Sequence, residues 1–194
     1  MRRIPIVLAC LLLFTGAVSA KKLIPLDIEK GQIFDDVTEM VDVSLSEENV
    51  GEKATTSIKA FFPAEGGWAG LWMPKKSAWE GFKTLTCSVF NASSAPVKIS
   101  FVIKDLHHAG GASGRGNEGW EMRKTWCVLP YDLKPGMNEV KIELAGIKTQ
   151  EGKPVNFSRI FHWGFYYKFF PELKWEEKSK EGLTLFISKL KLEE

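Results

Sequence analysis

Histidine and cysteine are scarce, with three of each in 194 residues. His107 and His108 are neighbours, so in an extended chain they point to opposite sides and are poorly placed to share a metal. His162 stands alone, and neither C-x-x-C nor H-E-x-x-H occurs, which removes the common zinc signatures. No G-x-S-x-G elbow is present, and neither Cys87 nor Cys127 has an adjacent histidine. Retaining glycosidases need two carboxylates held about 5 Å apart. No strand here carries such a pair; Glu118 and Glu121 are three residues apart at a loop–strand junction. A His-Tyr-Arg lyase arrangement, His107 or His162 with Tyr166 or Tyr167, stays open, but a non-catalytic role fits these absences better.

Basic runs are missing as well. Arg2 and Arg3 are the only charged residues among the first twenty, so the 26 Lys+Arg of the chain leave 24 beyond them against 24 Asp+Glu. A balanced chain without a basic stripe argues against nucleic acid, which is bound through phosphate neutralisation. Long apolar runs are confined to the start. Arg2 and Arg3 precede "IPIVLACLLLFTGAV", and Val18–Ala20 offers the small residues that a signal peptidase accepts. Residues 1–20 therefore read as a signal peptide cleaved after Ala20, with secreted or periplasmic delivery of residues 21–194. The apolar run is short for an anchor helix of roughly 20 residues, and no other segment is long enough to span a membrane as a helix. Two cysteines then remain, Cys87 and Cys127, an even number that permits one disulfide in an exported chain.

Helical periodicity is nearly absent; "VTEMV" and "PELKWEEKSKE" (171–181) are the candidates for a helical turn. What is present is the period of two. Residues 41–46, 53–62, 83–91, 97–105, 123–133, 133–144, 159–167 and 182–192 read as strands. Leu85, Cys87 and Val89 fall on one face of theirs, and Val140, Ile142 and Leu144 on one face of theirs. "NASSAP" and "KPG" are turn clusters. Short strands with polar turns, and no repeat or linker, predict an all-β, two-sheet antiparallel β-sandwich of jelly-roll type in one domain.

The segment "DLHHAGGASGRGNEGW" (105–120) contains G-x-G-x-x-G at Gly114–Gly119. A dinucleotide fingerprint must open a helix directly after a strand. Here a strand pattern follows, so the glycines read as a long turn between two strands. The stronger signal is indole. Seven tryptophans occur, three of them, Trp68, Trp72 and Trp79, within fourteen residues, and Trp120 closes the glycine-rich loop. The apolar C–H face of a sugar stacks on indole, while its hydroxyls need placed polar groups. Trp163, within "FHWGF", reads as core.

Several stretches carry a family resemblance. "VDVSLSEENVGEKATTSIKAFF", "SAWEGFKTLTCSVFNASSAPVKISFVIKD", "LKPGMNEVKIEL", "FSRIFHWGFYY" and "GLTLFISKLKL" together resemble carbohydrate-binding modules with the galactose-binding-like jelly roll, over about 41–192. The resemblance implies a polysaccharide or oligosaccharide ligand, bound on a sheet face or at the loops of one edge. It suggests Trp68, Trp72, Trp79, Asp105, Arg115, Asn117, Trp120 and Arg123 as the ligand-binding set. Asp105 has a plainer role available, capping backbone N–H groups at a loop start, and Arg123 a strand ion pair. The family also implies a structural calcium ion, for which Asp27, Glu29, Asp35 and Asp36 are candidate ligands. Ser188 stands where the family's last strand places an aspartate, which leaves that site one ligand poorer. A protein partner on the same fold is the second reading, since fold alone does not choose function.

Overall fold

The computed structural model describes residues 38–39, 41–47, 56–64, 69–73, 79–105, 125–167 and 182–194. Ten strands run through them: β1 (Thr38–Glu39), β2 (Asp42–Ser46), β3 (Ser57–Phe62), β4 (Ala69–Met73), β5 (Thr84–Asn91), β6 (Val97–Asp105), β7 (Cys127–Leu133), β8 (Gly136–Glu143), β9 (Ile160–Tyr167) and β10 (Leu183–Glu193). The helical content of the described residues is one 3₁₀ turn, Phe157–Arg159. The strands form two five-stranded sheets, ordered β1-β4-β9-β6-β7 and β2-β3-β10-β5-β8. Every strand pair is antiparallel. This is the expected two-sheet antiparallel sandwich. Two strands were not foreseen. "VTEMV" supplies the short strand β1 instead of a helical turn, and β4 lies inside the tryptophan-rich stretch. The segment 171–181 lies outside the described residues.

Alternation along the strands builds the core. Leu85, Cys87 and Val89 of β5 and Leu183, Leu185 and Ile187 of β10 face Ile99, Phe101 and Ile103 of β6 and Trp163 and Phe165 of β9; all are buried. Aromatic edges meet faces at the centre. Trp163 packs on Trp79 at 5.3 Å between ring centroids, Phe101 on Phe165 at 5.4 Å, and Phe62 on Tyr167 at 6.2 Å across the sandwich. Truncating one such ring costs about 3–5 kcal/mol.

Two asparagine amides fasten the chain where it passes between sheets. Asn91, at the end of β5, donates from Nδ2 to the carbonyls of Ala95 and Leu133, and its Oδ1 accepts from Ser93 N and Oγ. Asn138 spans the β7–β8 passage. Its Oδ1 accepts from Lys134 N, and its Nδ2 donates to the Lys134, Gly136 and Val89 carbonyls. Gly136 there has φ +85°, the left-handed conformation that the Pro-Gly turn requires. At the same side of the sandwich Tyr131 Oη of β7 donates to the Lys141 carbonyl of β8 at 2.6 Å, tying the edges of the two sheets together.

The disulfide does not form. Cys87 and Cys127 are both buried free thiols. Cys87 belongs to the β5 sheet and Cys127 to the β7 sheet. Burial pushes both thiols up to about 12, with the Glu139 carboxylate adding to the effect at Cys87. They behave as small apolar groups of the core.

Candidate functional site

Register places one end of the β1-β4-β9-β6-β7 sheet at the focus. Met73 pairs with Trp163, Trp163 with Ile103, and Ile103 with Cys127. The chain therefore leaves β4 and β6, and enters β7 and β9, at the same end. The segments 74–78 and 106–124 are attached there, the second leaving after Asp105 and returning at Thr125. The segment ending at Trp68 joins the opposite end, where Ala69 pairs with Tyr167.

Strand phase separates core from outer face. Ile99, Phe101 and Ile103 fill the core, so Ser100, Val102 and Lys104 project from the sheet's outer side. Ser100, Val102 and Tyr166 on that side are buried. Tyr166 lies over Gly70 so closely that a Cβ at Gly70 would fall 2.4–2.8 Å from three of its ring carbons. At the end of the sheet the outer side opens. Trp126 is half-buried, packs against the core cluster, and has the Lys104 ammonium 3.5 Å from its ring centroid. The amide of Gln150 donates to the Trp126 carbonyl at 3.0 Å and docks the 145–155 turn beside it.

Asp105 takes the plainer of its two roles. It is 2% exposed, and its Oδ2 accepts from Asn156 N at 2.6 Å. Asn156 in turn caps the 3₁₀ turn, its Oδ1 accepting from Ser158 N and Oγ. The next residue, Phe157, accepts at its carbonyl from Trp79 N at 2.7 Å. A pairing irregularity at Lys104/Asp105 turns the aspartate into this junction. Its carboxylate thus helps to hold the 156–159 turn.

Trp79 departs further from expectation. It has no exposed surface and sits edge-on to Trp163 in the core. It offers no face on which a sugar could stack. The indole Nε1 atoms of Trp79 and Trp163 are buried without an acceptor among the described residues. Trp72 belongs to β4, its backbone opposite Gly164. Trp68, Arg115, Asn117, Trp120 and Arg123 lie outside the described residues, as do His107, His108 and the calcium candidates Asp27, Glu29, Asp35 and Asp36. Ser188 lies in β10 opposite Ser88, beside a bulge. Among the described residues no three metal-ligating side chains cluster. Tyr167 points inward onto Phe62, so a His-Tyr-Arg arrangement on the outer face cannot include it.

Sequence reasoning missed Trp126 and Lys104. The signal was strand phase. Once Cys127 is inside, Trp126 must lie outside, and Lys104 shares the outer phase of its own strand. Their meeting depends on β6 and β7 pairing across the long 106–124 connection, which no local pattern specifies.

No family model matches the sequence, and no curated protein does. Solved structures match in shape. An exo-β-agarase aligns with a TM-score of 0.62 at 10% identity, covering 86% of this chain and 24% of its own. The carbohydrate-binding module CtCBM11 aligns at 0.55 and 13% identity over 92% of this chain and 97% of its own. The tandem CBM22 domains of Paenibacillus barcinonensis Xyn10C align at 0.51 and 11% identity over 87% and 48%. The chain thus spans about a quarter of the agarase that it matches. Two antiparallel five-stranded sheets and these matches together establish the jelly-roll β-sandwich fold seen in carbohydrate-binding modules.

Proposed function

We propose that this chain is an exported, non-catalytic carbohydrate-binding domain whose ligand is taken up at the Lys104–Trp126 end of the β1-β4-β9-β6-β7 sheet. The observation that carries the reading is Trp126: an indole backed by the core, partly exposed, and placed where the 106–124 segment leaves and rejoins the sheet. An aromatic platform with a polar group beside it suits the apolar face and the hydroxyls of a sugar ring. Arg115, Asn117, Trp120 and Arg123 belong to the attached segment and are proposed to complete the site; Trp72 of β4, beyond β9 in the same sheet, is proposed to join them. The folds of CtCBM11 and of the CBM22 pair support the reading. The engagement of Asp105 and the inward turn of Tyr167 favour binding over catalysis.

Affinity electrophoresis through gels holding soluble polysaccharides tests it. At least one polysaccharide should retard the protein, and Trp126→Ala, checked for folding by thermal unfolding, should weaken retardation at least tenfold. If no polysaccharide retards the protein, or the variant runs unchanged, the assignment fails. Export is tested by the mass of protein recovered from a secreting host, which should begin at Lys21.

One observation favours a protein partner as second reading. On the outer face of the other sheet Phe61 and Met137 are 41% and 44% exposed. Phe90 and Phe186 pack edge to face between their strands, with the Lys59 ammonium 5.2 Å from the Phe186 ring. Exposed apolar side chains of this kind can belong to an interaction surface. Phe61→Ser and Met137→Ser leave polysaccharide retardation intact under the first reading. Under the second they abolish association with a partner.

A further inference from the structure

We infer that Asn156 is an N-glycan acceptor and that Asn91 is not; this modification site lies outside the carbohydrate-binding reading and rests on the export proposed with it. Each of these asparagines opens the triplet N-x-S, as Asn91-Ala92-Ser93 and Asn156-Phe157-Ser158. In an exported chain the triplet marks an acceptor where the folded surface can carry a bulky glycan. A carboxamide has two N–H donors on Nδ2, and the glycan takes the place of one of them. The two triplets look alike in sequence, but the fold gives their amides opposite surroundings.

Asn91 is 1% exposed, and its Nδ2 donates to the Ala95 carbonyl at 3.2 Å and to the Leu133 carbonyl at 3.4 Å. Both N–H groups are used inside the protein, so a sugar there would break the crossing between sheets. At Asn156 the carboxamide is turned the other way. Its Oδ1 accepts from Ser158 N at 3.1 Å and from Ser158 Oγ at 2.7 Å, which sets Nδ2 on the far side. Among the described residues nothing accepts from that Nδ2, and only the Trp79 and Trp163 indole nitrogens are buried without a partner. The Nδ2 of half-buried Asn156 therefore reaches solvent. The middle residue of the triplet holds it in place. Phe157 packs against the core cluster, and its carbonyl accepts from Trp79 N at 2.7 Å. Residues 151–154 before Asn156, and Ser158 and Arg159 after it, are exposed, so a glycan finds room without moving a strand.

The donor is a lipid-diphosphate-linked oligosaccharide. The bond from Nδ2 to its anomeric carbon forms, and the bond from that carbon to the diphosphate oxygen breaks. The diphosphate leaves with the electron pair, and one amide proton passes to a base of the transferring enzyme. The test expresses the full chain in a secreting eukaryotic host, whose secretory compartment supplies this donor. The recovered protein should begin at Lys21 and carry one glycan that peptide-N-glycosidase removes. Removal in heavy-oxygen water should label the tryptic peptide Thr149–Arg159 and leave the peptide containing Asn91 unlabelled. Ser158→Ala keeps Asn156 and the backbone donor of its turn, yet should lose the glycan. Ser158→Thr and Ser93→Ala should both keep it. Protein that begins at Lys21 without a glycan, a glycan that survives Ser158→Ala, or label at Asn91 overturns this inference and leaves the carbohydrate reading standing. Protein that keeps residues 1–20 and stays in the cell overturns it together with the proposed export.

Discussion

Lys189 carries a φ of +53°, the one positive value among non-glycine residues described. It sits in the β10 bulge, between the pairs Ser188–Ser88 and Lys191–Thr86. A side chain disfavours the left-handed region, whereas glycine enters it freely. Lys189→Gly is therefore expected to stabilise the fold by about 1 kcal/mol despite the looser unfolded chain, read as a higher urea midpoint at unchanged slope. A lower midpoint would show that the lysine side chain contributes contacts exceeding the strain. Gly70 presents the reverse case. A methyl group there would strike the Tyr166 ring at 2.4–2.8 Å, so Gly70→Ala should cost about 1–3 kcal/mol through overpacking. Adding Tyr166→Ala should remove most of that increment in a double-mutant cycle; full additivity would place the strain elsewhere.

At the scale of elements, the passages between sheets depend on side-chain amides as much as on turn residues. "NASSAP" and "KPG" read as turns in the sequence and are turns in the fold. Their local pattern does not reveal that Asn91 reaches the Leu133 carbonyl, 42 residues away, or that Asn138 reaches the Val89 carbonyl, 49 away. Asn91 is 1% exposed, so Asn91→Ala leaves buried carbonyls without their donor. A loss of about 1–3 kcal/mol is expected, measured by chemical denaturation, together with faster amide exchange at the start of β6. Exchange unchanged from wild type would argue that the crossing is held by packing alone. Periodicity identifies strands where polar and apolar residues alternate along the chain, as in β5, β6, β8 and β10. It fails at β4, whose "AGLWM" has no alternation to read and whose glycine is there to admit Tyr166.

For the whole molecule the two thiols make stability depend on alkaline pH. Below the ordinary thiol value of 9.0 both groups are protonated in folded and unfolded chains and contribute no pH dependence. Above it the unfolded chain loses those protons, while the folded protein keeps them until about pH 12. Stability therefore falls as pH rises from about 9 toward 12. At pH 10.5 the loss is on the order of 2 kcal/mol for each thiol, at 1.36 kcal/mol per pKa unit. The urea midpoint of the wild type should drop more between pH 8 and pH 10.5 than that of the Cys87→Ala/Cys127→Ala protein; parallel slopes would remove the thiols as the cause. Both thiols should also resist aromatic disulfide reagents until the chain unfolds, because the thiolate is the reactive form.

What the sequence determined by itself was the strand inventory, the inward residues of most strands, the tight turns and the two-sheet class. Each of these follows from alternation and from residues whose backbone preferences act over a few positions. Tertiary structure decided which tryptophans are available. Trp79 entered the core by packing on Trp163, 84 residues away in β9, and Trp126 stayed half-exposed beside Lys104 because β6 pairs with β7. It also decided that Cys87 and Cys127 sit on different sheets as free thiols, and that Asp105 accepts from the Asn156 turn. All of these are contacts between elements distant in sequence. Composition can announce the residue types for such contacts, but only the packing of the two sheets sets their distances.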